Sequence, residues 1–135
     1  MKNICTHETA SRLKAAGFPQ PEPAAGQVWY DSPGRAFTVL NVVAPGVCDA
    51  WWHCFGTVER WSVIGAFAPT AADILRELPG YSLGLFNKSA HAFAAEYLRW
   101  IVQDNVGDVV CDHEHNPAEA CAAAWLELKK EKTKQ

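Results

Sequence analysis

The sequence predicts an α+β fold: one domain built on a mainly antiparallel sheet of about 4–6 strands, with helices packed on one side. Three observations carry this. Residues 27–68 hold a run of β-branched and aromatic segments joined by short turns rather than by helices. Two segments elsewhere carry helix-start and helix-stop signals around an apolar stripe. At 135 residues, with 49% hydrophobic and 20% charged side chains, the chain has one domain's length and an ordinary globular composition.

The elements follow in order. Residues 6–16 read as a first helix, with Thr6 as N-cap and Gly17 as its stop. Residues 17–26 hold Pro19, Pro21 and Pro23 in alternation, which forbids helix and favours an extended arm. "QVWYD", the turn "SPGR" and "AFTVLNVV" read as strand, turn, strand; "DAWWHCF" and "ERWSVIGAFA" add two more around Gly56. "PTAADILRELPG" is a helix capped by Thr70, with Asp73 three residues on and Pro79-Gly80 at its end. "YSLGLF" suits a short strand. Residues 89–103 fit a helical stripe, yet "YLRWIVQ" within them fits a strand equally well, so the helix count is three or four. "DVVCDHEH" closes the sheet. Asn116 caps a final helix that starts at Pro117, with Glu119 placed to reach back to the Asn116 N–H. Residues 27–128 thus form the body, and residues 129–135 a basic tail.

Charge and cysteine usage narrow the functions. The net charge is −3, and the tail carries four lysines and one glutamate, so the body alone is near −6. Such a body repels phosphate backbones and argues against nucleic acid as partner. Residues 1–17 lack a signal-type apolar run, and no apolar segment approaches membrane-spanning length. Five cysteines without regular spacing suggest reduced thiols, hence a cytoplasmic compartment.

Three blocks, "AGFPQPEPAAGQVWYD", "FAPTAADILRELPG" and "NPAEACAAAWLELKK", together resemble a group of small proteins carried by phages, prophages and related mobile elements. They cover about a third of the chain in conserved order. The resemblance implies a phage or mobile-element setting but assigns no site residue. Residues 45–61 and 88–112 fall outside it, and any specificity particular to this chain is expected there.

The sequence offers four candidate sites. In "CDHEHNPAEAC", Cys111, His113 and His115 share a strand face and could hold zinc with help from Cys48, His53 or Cys54. Four residues of extended chain span roughly 13 Å, too far for all three to meet one ion easily, so zinc is an alternative and the expectation is no cofactor. "GYSLG" matches G-x-S-x-G, but Ser82 follows a helix stop instead of starting a helix, and the chain is short for such a hydrolase. His53 and Cys54 are consecutive, so on a strand they face apart and form no dyad. Cys5 and Cys121 show no activating neighbour. Six tryptophans are many. Trp29, Trp61, Trp100 and Trp125 are expected in the core, whereas Trp51 and Trp52 must face opposite ways. Trp51, Trp52 and His53 are therefore the candidate binding residues.

These readings favour a non-enzymatic accessory protein that binds a host or phage protein, with an anti-defence role as one form of that function. Self-association through a sheet edge is a second possibility. A small-molecule or nucleotide-signal binder is a further alternative; it would need Arg35, Arg60, Arg76 or Arg99 beside an aromatic ring.

Overall fold

A computed structural model of the chain describes residues 3–87, 98–113 and 116–133. The fold is α+β, and every strand pair among the described residues is antiparallel. It divides into two compact units, Thr6–Ala68 and Met1–Cys5 with Pro69–Gln135. Among the described residues the strands form two sheets, of five and three strands, and three helices accompany them. Alternation in a sequence specifies a strand but not its partner, so the division into two sheets was not legible.

The first unit begins with α1 (His7–Ala15), whose Thr6 Oγ1 accepts the Thr9 N–H at 3.3 Å. Gly17, at φ 94°, ends it, and Phe18 N donates back to Leu13 O. After the proline arm come β1 (Val28–Tyr30), β2 (Ala36–Ala44), β3 (Val47–Trp52), β4 (Thr57–Ser62) and β5 (Ala66–Phe67). Their order in the sheet is β4-β3-β2-β1-β5. The core is Trp29, Phe37, Val39, Cys48, Ala50, Trp52 and Phe67, all on one face by strand alternation. The segment "ERWSVIGAFA" is not one strand. It breaks at Gly65, so that β4 and β5 lie at opposite edges of the sheet.

The second unit holds α2 (Ala71–Leu75), β6 (Ser82–Asn87), β7 (Leu98–Gln103), β8 (Val109–His113) and α3 (Pro117–Thr133). Thr70 and Asp73 close a full capping box on α2. Residues 98–103 are strand, paired with both neighbours; residues 88–97, where the helical alternative fell, lie outside those described. On α3, Ala118, Ala120, Cys121, Ala122, Ala124 and Trp125 are all buried. That is more than a single stripe, which suits a helix of small side chains enclosed on several sides. Its cap is Asn116, whose Oδ1 accepts from Ala118 N at 2.9 Å and Glu119 N at 3.3 Å. The reciprocal bond expected from Glu119 is replaced: the Asn116 N–H goes to His113 Nδ1 at 3.1 Å. No helix among the described residues is long and apolar enough to cross a membrane.

Candidate functional site

The site lies in the first unit, on the β3–β4 hairpin and the β1–β2 turn beside it. Alternation along β3 sends Cys48, Ala50 and Trp52 into the core and turns Trp51 outward. Gly56, at φ 65°, closes the hairpin, its N–H donating to Trp52 O at 2.8 Å. All six residues of β4 are exposed. β4 is an edge strand, and among the described residues no strand pairs with its outer side. Protected edges carry lysines, prolines or bulges. β4 carries instead Val58 and Trp61, 54% and 38% exposed, and a single Glu59-Arg60 pair of charges. Arg60 is already engaged, its Nε 3.2 Å from Asp49.

Of the three residues singled out for binding, two meet on one surface. Trp51 is 41% exposed and pairs with Thr38, whose Oγ1 lies 2.6 Å from His53 Nε2. Trp52 does not join them. It is 2% exposed and packs edge-to-face on Trp61, with ring centroids 5.3 Å apart. Its part is to support that surface from the core, because consecutive strand residues cannot share a face. Trp61 corrects the sequence reading in the other direction: it was expected in the core, and the edge position of β4 leaves it partly bare.

On the Trp61 side is an open cavity of about 380 Å³, lined by Asp31, Ser32, Pro33, Arg35, Trp61, Ser62 and Ile64. The turn that builds half of it is held by Asp31. This carboxylate is buried and accepts from Arg35 N at 2.7 Å and Arg35 Nε at 2.8 Å. Arg35 in turn stands 5.6 Å from the ring centroids of both Trp52 and Phe55. Three of the other four arginines are paired too: Arg60 with Asp49, Arg76 with Asp73 and Arg99 with Asp112. Arg35 is the one that also stands over aromatic rings among the described residues. This pocket was missed from sequence, although Asp31 four residues before Arg35 across a Pro-Gly turn was a usable signal.

The polar stretch near the C-terminus gives no such convergence. Cys111 and His113 lie on β8, opposite Val102 and Trp100, and His115 is outside the described residues. His113 Nδ1 is occupied as acceptor for the Asn116 N–H. Among the described residues no three His, Cys, Asp or Glu side chains are placed to hold a metal ion. Ser82 opens strand β6, opposite Gln103, rather than sitting on a strand-to-helix turn.

All five cysteines are free thiols. Burial raises the Cys121 thiol to about 12, with nearby Cys111 adding to it. Burial and then Glu119 push Cys5 up further, and burial with an adjacent aspartate raises Cys48 and Cys111. Thiolate is the reactive form, so these four thiols are expected to react slowly. Labelling the native protein with a disulfide reagent at pH 8 should modify Cys54 rapidly and alone, and all five after denaturation. Rapid loss of a second native thiol would contradict it. Because the shifted thiols keep their protons when folded and lose them when unfolded, stability should decline as pH rises above 9.

Comparison with protein-family models, with curated proteins and with solved structures finds no match for the chain. The geometry defines an antiparallel-sheet protein with an open, aromatic-bearing edge.

Proposed function

We propose that the protein is a non-enzymatic accessory protein of a phage or mobile element, and that it binds a partner protein by strand addition at β4. The observation that carries this reading is that every residue of this edge strand is exposed while it presents Val58 and Trp61. An incoming strand would satisfy the outward backbone groups, and alternate side chains would meet Trp51 and Val58 on one face and Trp61 on the other. Buried aromatic anchors supply most of the energy of such contacts. The acidic body favours a neutral or basic partner surface. The phage-type sequence blocks support a host defence protein as the target class.

A second copy of the chain fits the same edge poorly. Antiparallel pairing about a twofold axis normal to the sheet joins residues of like parity. The registers centred on the strand then set Glu59 against Glu59 or Arg60 against Arg60, and like charges directly opposite are destabilising. Strand addition by a different protein has no such obstacle.

The test is capture from bacterial lysate with the wild-type chain and with Val58→Lys/Trp51→Ala as bait. Both side chains are exposed, so the variant should keep its circular dichroism and melting temperature. A specific protein retained by the wild type should fall at least tenfold with the variant. Equal retention by the two baits, or no protein retained above a blank resin, would refute binding at this edge.

A further inference from the structure

The cavity between the β1–β2 turn and the end of β4 has features that strand addition does not use. We infer that it is a binding site for a small aromatic anion, a ligand with one planar apolar body and one carboxylate or phosphate group. The anionic end would sit at Arg35. Asp31 takes Nε of that guanidinium, and the terminal nitrogens have no acceptor among the described residues. The side chain is nevertheless held in place, by the buried Asp31 carboxylate on one side and by the Trp52 and Phe55 rings on the other. A fixed guanidinium with unspent donors recognises carboxylate or phosphate with little ordering cost. Ser32 and Ser62 belong to the same lining.

The planar body would lie against Trp61, Ile64 and Pro33. Ile64 is 72% exposed, and Trp61 is fixed by its edge-to-face contact with Trp52. An immobilised indole beside bare aliphatic surface is suited to stacking an aromatic ring. The volume of about 380 Å³ falls within the range of small-molecule sites. The Trp52 ring, which contacts both Arg35 and Trp61, underlies these two lining residues, and its Nε1 is buried with no hydrogen-bond partner among the described residues.

The same chemistry is offered by an aromatic carboxylate and by a mononucleotide, and titration distinguishes them. The ¹⁵N-labelled protein would be titrated with indole-3-acetate and with guanosine 5′-monophosphate, each beside its neutral counterpart, indole-3-acetamide and guanosine. At least one anion is expected to shift the indole N–H signals of Trp61 and Trp52, and to bind at least tenfold more tightly than its counterpart. Ile64→Glu, an exposed change that adds negative charge at the mouth, should weaken that binding at least tenfold without altering the melting temperature. Arg35→Gln should abolish the preference for the anion. Because that change strands the buried Asp31, Ile64→Glu remains the deciding variant. If neither anion shifts the two indoles, if the neutral counterparts bind as well, or if Ile64→Glu binds unchanged, the site is not an anion site. Loss of partner capture at β4 would leave these results untouched, so the two readings fail separately.

Discussion

Replacing Gly65 by alanine is expected to lower the stability of the 6–68 unit by about 3–5 kcal/mol, the strain of a left-handed residue adding to a backbone clash. Gly65 sits at φ 135°, and a Cβ there would stand 2.0 Å from the Tyr30 carbonyl oxygen. Neither partner can yield cheaply. Tyr30 is the last residue of β1 and is paired to both β2 and β5. The Gly65 carbonyl is itself held, accepting from Lys14 Nζ at 2.6 Å. This close approach is what lets the chain leave β4 and return on the far side of β1. Denaturant unfolding would measure the loss, with Gly46→Ala as the reference. Gly46 also has positive φ but nothing within 4 Å of its virtual Cβ, so it should cost only about 1–2 kcal/mol. Equal losses at the two positions would show that the approach to Tyr30 is not what matters.

Asn116→Ala should cost about 2–4 kcal/mol, because one side chain holds three backbone groups. Its Oδ1 caps α3 through Ala118 N and Glu119 N, and its Nδ2 donates to Ile4 O at 2.9 Å. The residue is buried, so water cannot replace those bonds freely. The loss has two parts that can be separated. Asn116→Ser keeps a capping oxygen but gives up the reach to Ile4, and should fall between wild type and alanine. Hydrogen exchange would locate the damage in the first turn of α3 and in residues 3–5. A loss confined to the helix would show that the tie to Ile4 contributes nothing.

These two positions also show what could be read in advance. Asn116 was legible as a cap because capping is local chemistry: the acceptor and its amides are two and three residues apart. Thr70 with Asp73, and Thr6 with Gly17, were legible for the same reason. The Nδ2 bond to Ile4, 112 residues away, was not. Gly65 was hidden inside "ERWSVIGAFA", which alternates well enough to pass for one strand. Its need for glycine comes from a carbonyl 35 positions earlier.

The candidate site divides along the same line. That Trp51 and Trp52 face opposite ways follows from strand pleating, and the sequence sufficed for it. Which of them is buried, and that Trp61 is bare, follows from sheet order. β4 is an edge only because the chain turns back at Gly65 and places β5 beyond β1. Arg35 could be seen as a cation but not as one set over two rings, since Trp52 and Phe55 lie well beyond it in the chain.

Sequence alone settled the α+β class, the capping residues Thr6, Thr70 and Asn116 and the alternation within strands, because each depends on torsions and hydrogen bonds within a few residues. Tertiary structure decided the split into two sheets, the open edge at β4 and the cavity beside it. Those depend on which distant segments pair, and strand alternation is the same whoever the neighbour is.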